Sequence, residues 1–251
     1  MPESRWPARL WIVRHGESAG NVARDRAYAE GALRIDIAER DMDVPLSARG
    51  VEQSRALAEW FARMPADEYP EAVLTSPYVR ARQTAELICQ GQDRFASGRN
   101  VTLDERLRER EFGILDRLTH AGIARFFPDQ SEARKRVGKF YHRPPGGESW
   151  CDVILRLRSV LDTLSLHYEG RRVLIVTHEV VVHCLRYLLE ELDEAQIMEI
   201  DRQGDVVNCG VTEYRADPRG KLNLVRFNFA APLAEQGAPI TAAPDKSGGP
   251  R

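Results

Sequence analysis

Three short, continuous apolar runs constrain the fold of this chain more strongly than any other feature of its sequence. Runs of this length without polar alternation are typical of strands in a sheet that is buried on both faces. They lie at Leu10–Val13, Ala72–Leu74 and Arg172–Val176. Helical patterns between and after them run from Ser47 to about Arg63, from Tyr78 to Cys89, from Ser149 through Leu164 and from Glu179 to Glu190. The alternation predicts an α/β fold with a mostly parallel sheet and helices on both faces.

The rest of the chain divides into two further strands, two long interruptions and a tail. Val206–Tyr214 and Leu222–Phe229 are predicted strands, and the Pro/Gly turn between them favours an antiparallel pair. Residues 19–45 and 114–148 interrupt the pattern, and loops of that length usually serve as lids or substrate walls. Residues 230–251 hold four prolines and no apolar period. We therefore predict one domain over residues 1–229 and a disordered tail over residues 230–251.

The charge balance and the cysteines exclude several classes of protein. With 36 Lys and Arg against 38 Asp and Glu, the net charge is −2, which argues against a nucleic-acid partner. The four cysteines lie far apart without the spacing of a zinc site, so free thiols in the cytoplasm are expected. The N-terminus has no apolar signal segment, and no apolar run approaches the ~20 residues of a membrane span, so no membrane partner is expected. The oligomeric state is left open.

Polar side chains that can bind an anion follow three of the predicted strands. The first strand ends in Arg14–Ser18 (Arg-His-Gly-Glu-Ser), with Asn21 close behind. Arg80 lies about one helical turn beyond the second strand, and His178 follows the third. Any one of these could be a solvated turn. Because the carboxyl ends of parallel strands meet at the edge where ligands bind, the three together predict one anion site.

These residues and two further motifs resemble the histidine phosphatase superfamily, in its phosphoglycerate mutase-like branch. The matches are Arg14-His15-Gly16 with Asn21, the stretch from Ser76-Pro77 through Arg80-Ala81 to Gln83-Thr84, Leu107-Arg108-Glu109 before Phe112-Gly113, and Thr177-His178. They occur in family order from residue 10 to about residue 215. The resemblance implies a three-layer α/β/α sandwich that acts on a small-molecule phosphoester, and it implies no cofactor.

The resemblance also implies a role for each residue of the site. His15 would be the catalytic nucleophile, which forms a phosphohistidine and must be neutral to attack. Glu109 would be the catalytic acid, since arginine cannot supply a proton to the leaving oxygen. The second catalytic histidine would be His178. The phosphate-binding residues would be Arg14, Asn21, Arg80 and Glu179. Glu179 departs from the family pattern, because its carboxylate would repel an anion unless it is turned away or paired.

No metal site is predicted. His178 and His183 resemble the histidine pair of a zinc-protease helix, but their five-residue spacing turns His183 about 140° away from His178. His183 is therefore predicted to be a packed helix residue. Substrate contacts by Arg110, His142 and Arg143 are left open.

The predicted function is a metal-independent phosphatase that hydrolyses phosphomonoesters through a phosphohistidine on His15. The first alternative is a 2,3-bisphosphoglycerate-dependent phosphoglycerate mutase. Arg110 after Glu109 favours it, whereas residues 19–31 lack the Trp-Asn…Phe-x-Gly-Trp run of the mutases. The second alternative is a catalytically silent phosphate-binding protein, which the presence of both His15 and Glu109 argues against.

Overall fold

The computed structural model describes residues 6–90 and 101–242, and in this part of the chain six strands form one sheet. The strands are β1 (Arg9–Arg14), β2 (Ala72–Thr75), β3 (Val101–Leu103), β4 (Arg172–Thr177), β5 (Val211–Ala216) and β6 (Leu222–Phe229). Their spatial order is β3-β2-β4-β1-β5-β6. Strands β3, β2, β4 and β1 are parallel, and β5 and β6 are antiparallel to their neighbours. The mostly parallel sheet predicted from the sequence is confirmed.

Helices cover both faces of the sheet. They are α1 (Ala19–Ala29), α2 (Ala48–Ala62), α3 (Val79–Cys89), α4 (His120–Phe126), α5 (Pro128–Tyr141), α6 (Trp150–His167), α7 (Glu179–Leu189), α8 (Glu194–Gln203) and α9 (Ala231–Glu235). The four helices predicted from the sequence correspond to α2, α3, α6 and α7. None of the helices in the described ranges is long and apolar enough to cross a membrane.

Alternate residues of the central strand β1 enter two separate cores. Leu10 and Ile12 pack in the core on one side of the sheet, with apolar residues of α6 and α7. Trp11 and Val13 pack in the core on the other side, with apolar residues of α2 and α3. Because side chains of a strand alternate between its faces, the fully buried β1 is the middle of a three-layer α/β/α sandwich.

Two elements differ from the sequence prediction. The strand predicted from Val206 begins at Val211, because residues 206–210 turn around the end of β1, where Cys209 N–H donates to the Arg14 carbonyl at 3.0 Å. Helix α1 forms inside residues 19–45, where the sequence showed little periodicity. The buried residues of α1 include the polar Asn21 and Arg24, so its inner face carries no apolar pattern.

The prediction of a disordered tail from residue 230 is wrong for the part of the tail that the structure describes. Residues 231–235 form α9, whose Leu233 is fully buried in the core beside α2. Asn208 N–H donates to the Thr241 carbonyl at 2.8 Å. The segment is ordered by packing on the rest of the molecule, which a search for internal periodicity does not detect. Residues 243–251 lie outside the described residues.

Candidate active site

The register of the sheet brings three strand ends together. Arg14 at the end of β1 is paired with Thr177 of β4, and Thr75 of β2 is paired with Val176 of β4. The residues that follow these strands are therefore neighbours at the same edge of the sheet. We call His15, His178, Arg14 and Arg80 at this edge the His15 cluster. All four are buried.

His15 is held in one tautomer. Its Nδ1 lies 2.7 Å from the carbonyl oxygen of Gly16, and because a carbonyl only accepts, Nδ1 carries the proton. Arg80 Nε donates to His15 Nε2 at 3.2 Å, so Nε2 carries the lone pair. These two contacts together require a neutral imidazole, since a doubly protonated ring has no acceptor.

His178 stands beside His15 at the start of α7. The two ring centroids are 5.0 Å apart, which allows both rings to contact one phosphate-sized anion. His178 Nε2 lies 2.8 Å from the hydroxyl oxygen of Ser76, which also accepts from Tyr78 N–H at 3.3 Å. Ser76 thus orients the second histidine. Ser76 stands directly after β2, which is a sequence signal for a site residue, but in the sequence analysis Ser76 was named only as part of the family resemblance.

Arg14 and Glu179 form a buried pair. Arg14 is fully buried, donates through Nη1 to the Val206 carbonyl, and places Nη1 3.7 Å from Glu179 Oε2. The other carboxylate oxygen of Glu179 accepts from Val206 N–H at 3.4 Å. The Glu179 carboxylate is thereby neutralised by Arg14, while its backbone N–H lies in the first turn of α7.

Arg80 bridges His15 to Asp41, which the sequence did not single out. Its Nη1 donates to the Asp41 carbonyl at 2.5 Å, and its Nη1 and Nη2 lie 3.0 and 3.2 Å from the two Asp41 carboxylate oxygens. Asp41 belongs to the first interruption, where the run Arg-Asp-Met-Asp is typical of a solvated turn. In this structure a carboxylate of the chain itself binds the guanidinium at the predicted phosphate site.

Asn21 lies in the first turn of α1, and Glu109 lies in the segment between β3 and α4. Asn21 Oδ1 accepts from Ser18 N–H at 3.0 Å in the capping box of α1. Glu109 is almost fully buried, and its Oε1 accepts from Arg110 N–H at 2.7 Å. The Glu109 loop is tied to the end of β4, because Thr177 Oγ1 donates to the Leu107 carbonyl at 2.8 Å.

The three side chains whose substrate contacts were left open, Arg110, His142 and Arg143, all bind other protein groups. Arg110 donates to the carbonyls of Glu148 at 2.6 Å and His142 at 3.3 Å. Burial, with a contribution from Arg134, lowers the pKa of Arg110 to about 10. His142 Nε2 lies 3.3 Å from Gln130 Oε1, and Arg143 is paired with Asp152.

His183 packs inside the molecule, as predicted. Its ring stacks on Trp150, with centroids 5.8 Å apart and planes 21° apart, and lies 6.3 Å from the Phe227 ring. Burial lowers the pKa of His183 to about 4. Among the residues that the structure describes, no group of three or more His, Cys, Asp or Glu side chains is placed to hold a metal ion.

A second residue that the sequence did not reveal supports the backbone of His15. Asn208 Nδ2 donates to the His15 carbonyl at 3.1 Å, and Asn208 Oδ1 accepts from Thr241 Oγ1 at 3.0 Å. Gln53 makes a second connection from Thr241 to this loop. Its Nε2 donates to Thr241 Oγ1 at 2.7 Å, and its Oε1 accepts from Glu17 N–H at 2.8 Å. Two side chains thus connect the C-terminal segment to the loop that carries His15.

A pocket of about 100 Å³ adjoins the cluster at Arg80. We call it the Arg24 pocket. Its walls come from α1, from residues 35–44 and from residues 112–118. The polar side chains on its walls include Asn21, Arg24 and Arg80, and the apolar ones include Ile35, Ile37, Leu115 and Leu118.

Comparisons with known proteins relate this chain to one family. Residues 10–229 match the family model of the histidine phosphatase superfamily (branch 1). The probable phosphoglycerate mutase GpmB of Serratia proteamaculans is 32% identical over 179 residues, which cover 70% of this chain and 72% of that protein. Fructose-2,6-bisphosphatase of Saccharomyces cerevisiae is 30% identical over 179 residues, which cover 71% of this chain and 33% of the yeast protein.

Solved structures share the fold. Mycobacterial glucosyl-3-phosphoglycerate phosphatase Rv2419c in complex with inorganic phosphate superposes with a TM-score of 0.67 at 26% identity, over 90% of this chain and 99% of that one. The alpha-ribazole phosphatase from Shigella flexneri superposes with a TM-score of 0.70 at 22% identity, over 88% and 96% of the two chains. The sandwich predicted from the sequence is therefore confirmed.

Proposed function

Because this chain belongs to the histidine phosphatase superfamily and is an enzyme of that class, we propose that it hydrolyses phosphomonoesters through a phosphohistidine on His15. The observation that carries the proposal is that the His15 ring is neutral, with its proton on Nδ1. Its Nδ1 proton is engaged by Gly16, and its Nε2 lone pair lies beside the Arg80 guanidinium. A neutral imidazole that keeps a lone pair, not a proton, on the nitrogen facing the cationic groups is suited to attack a phosphoryl group.

In the first step, the Nε2 lone pair of His15 forms a bond to phosphorus while the bond from phosphorus to the ester oxygen breaks. Protonated Glu109 transfers its proton to that oxygen, so that an alcohol leaves. In the second step, the Glu109 carboxylate takes a proton from a water molecule whose oxygen attacks phosphorus. The bond from Nε2 to phosphorus breaks, phosphate leaves, and His15 and Glu109 return to their starting states.

Cationic and dipolar groups stabilise the charge that develops on the transferred phosphoryl group. Preorganised donors of this kind usually provide the largest part of the rate enhancement in such reactions. The start of α7 adds the partial positive charge of a helix N-terminus. The proposed donors are the guanidiniums of Arg14 and Arg80, the ring of His178, the amide of Asn21 and the backbone N–H of Glu179.

Phosphoglycerate mutase activity is the second candidate, because a relative 32% identical over 179 residues is named as a probable mutase. A mutase needs a group that holds the carboxylate of phosphoglycerate, and Arg110 is the residue that the sequence offers. Arg110 donates instead to the carbonyls of Glu148 and His142. Hydrolysis is therefore the better supported activity.

The test compares wild-type protein with His15→Ala on 4-nitrophenyl phosphate. We expect kcat/KM to fall by at least about a thousandfold, because the substitution removes the group that would form the covalent intermediate. Rapid quenching of wild type with ³²P-labelled substrate should trap a protein-bound label that survives alkali and is lost in acid, and His15→Ala should trap none.

His167→Ala is the matched control, since His167 is an exposed histidine in the last turn of α6. It should keep both activity and label. Full activity or undiminished labelling of His15→Ala would refute the proposal. Interconversion of 2- and 3-phosphoglycerate faster than phosphate release would replace it by the mutase reaction, and phosphate binding without turnover of any phosphoester would indicate a silent protein.

A further inference from the structure

Arg24 is a buried cation on the same face of α1 as Asn21. The residues that α1 buries, Asn21, Arg24 and Ala27, recur every three positions and form one stripe. The Arg24 side chain is only 7% exposed, and its ion pair is a 3.5 Å contact from Nη2 to Asp25, whose side chain is 61% exposed. A guanidinium that is taken out of water with so weak a partner is costly unless it binds something else.

A ligand anion that binds Arg24 would lie in the Arg24 pocket. Its other two arginines have short contacts with the protein. Arg80 binds Asp41, and Arg117 donates to the carbonyls of Ile37 at 3.1 Å and Glu39 at 2.6 Å. Arg24 differs from both, because its hydrogen bond and ion pair with Asp25 Oδ1 are long, at 3.5 Å.

The acidic groups of the pocket do not neutralise Arg24. The Asp41 carboxylate is paired with Arg80, and Asp116 lies 3.7 Å from Arg117 Nε. Glu39 is exposed at the rim. The remaining walls are mainly apolar, so the pocket combines an apolar body with one available buried cation.

The position of Arg24 relative to the His15 cluster sets the distance that a ligand must span. Residues three apart on a helix are neighbours, with Cβ atoms about 5–6 Å apart. A substrate whose phosphate contacts Asn21 and Arg80 would direct its leaving group along this pocket. A group about one aromatic ring away from the phosphate would then reach Arg24.

We propose that Arg24 binds a second anionic group, a carboxylate or a phosphate, carried by the leaving group of the substrate. The proposal rests on the proposed function and narrows its substrate class to phosphomonoesters with an apolar body and a second anion. Arg24 is then a specificity-determining residue, because it recognises the part of the substrate that does not react.

The experiment uses esters that differ in the charge of one substituent. They are 4-carboxyphenyl phosphate, 4-phosphonophenyl phosphate and the neutral isostere 4-carbamoylphenyl phosphate. Wild type should prefer one or both anionic esters over the neutral ester by about tenfold or more in kcat/KM. A preference of this size is what a single charge-assisted hydrogen bond to the anionic substituent would contribute. Arg24→Gln should bring that ratio to about one, and Arg24→Lys should keep part of it.

Arg26→Gln is the matched control. Arg26 lies on the solvent side of the same helix, with its side chain 77% exposed and paired with Glu30. It should leave both the activity and the ratio unchanged. A wild-type ratio of one, or a ratio that survives in Arg24→Gln, would overturn the proposal even if all three esters are hydrolysed.

A binding measurement separates this proposal from the proposed function. The affinities of 4-carboxyphenylphosphonate and 4-carbamoylphenylphosphonate are compared by calorimetry on wild type and Arg24→Gln. A preference of wild type for the carboxylate that Arg24→Gln loses would support the Arg24 site even without turnover. Equal affinities in wild type would overturn it, whether or not the esters are substrates.

Discussion

At the scale of single residues, Asp41 binds the guanidinium that the proposed function assigns to the phosphate. Arg80 already donates to the Asp41 carbonyl and contacts its carboxylate, while its Nε faces His15. In the proposed mechanism, a phosphoryl group on His15 Nε2 uses those same donors. Under that proposal, we expect the ion pair between Arg80 and Asp41 to open when substrate binds.

Asp41→Asn should strengthen the binding of inorganic phosphate. The Asp41 side chain is 41% exposed, and an ion pair with one solvated partner contributes only about 0–1 kcal/mol. We therefore expect Kd for phosphate, measured by calorimetry at low salt, to fall by about two- to fivefold. Asp43→Asn, which removes a carboxylate two residues away that pairs with Arg40, is the control and should change Kd less. Weaker phosphate binding by Asp41→Asn would mean that Asp41 helps to hold the ligand.

The sequence revealed the residues of this site that follow strands, but not those that hold them. Arg14, His15 and His178 were predicted because each stands within two residues of the end of a buried apolar run. Asp41 and Asn208 were missed, since each acts through a contact distant in the chain. Arg80 with Asp41 and His15 with Asn208 are separated by 39 and 193 positions. Local patterns carry no signal of such contacts.

At the scale of the elements, helix α2 packs against the backbone that carries His15. A Cβ atom built at Gly50 would lie 1.9 Å from the Glu17 carbonyl oxygen, and one built at Gly16 would lie 2.5 Å from the Gly50 carbonyl oxygen. Ser47 fixes the same contact, because its N–H donates to the Glu17 carbonyl at 2.9 Å. The two glycines are needed for close approach of the helix to the loop.

Gly50→Ala should destabilise the protein and lower its activity together. The added methyl group forces α2 away from Glu17, and overpacking of this kind costs about 1–3 kcal/mol of unfolding free energy. Urea unfolding and hydrolysis of 4-nitrophenyl phosphate measure the two effects.

Gly204→Ala is the matched control for that change. Apart from its immediate chain neighbours, no residue that the structure describes has an atom within 4 Å of a Cβ built at Gly204, and the φ of 167° is ordinary extended backbone. Its unfolding free energy should stay within about 0.5 kcal/mol of wild type. Equal unfolding free energies of the Gly50→Ala and Gly204→Ala variants would show that α2 can move away from Glu17 without loss of stability.

Elements were predictable where apolar periodicity marks burial. The strands β1, β2 and β4 and the helices α2, α3, α6 and α7 bury apolar faces, and the sequence indicated all of them. Strand β3 was missed because its three residues are mostly exposed at the edge of the sheet. Helix α1 was missed because the face that it buries is polar, which is the reverse of the usual pattern.

At the scale of the whole molecule, His183 makes stability depend on pH. The ring is fully buried against Trp150, among Lys139, Arg186 and Arg14, which disfavour its charge, and Asp201, which favours it. Burial is the main cause that lowers its pKa to about 4, compared with 6.5 for an exposed histidine. Above pH 6.5 the imidazole is neutral in both states, and it does not lower the free energy of unfolding. As pH falls from 6.5 to 4, the unfolded chain binds a proton that the folded chain does not, so the folded state becomes less stable.

His183→Leu should therefore lose less stability than wild type between pH 6.5 and pH 4. A pKa difference from 6.5 to about 4 corresponds to up to about 3 kcal/mol of unfolding free energy over that range. Urea unfolding at several pH values measures the difference in slope. His167→Leu, at an exposed site, should follow the wild-type slope. Parallel curves for wild type and His183→Leu would mean that the buried ring does not resist protonation.

The connection from Thr241 through Asn208 to the His15 carbonyl has a consequence for the order of biosynthesis. A ribosome makes residues 239–241 after every strand that the structure describes, so the loop that carries His15 obtains its contacts with Thr241 from one of the last segments to be synthesised. We therefore expect this loop to be among the last parts of the described structure to be fixed in place.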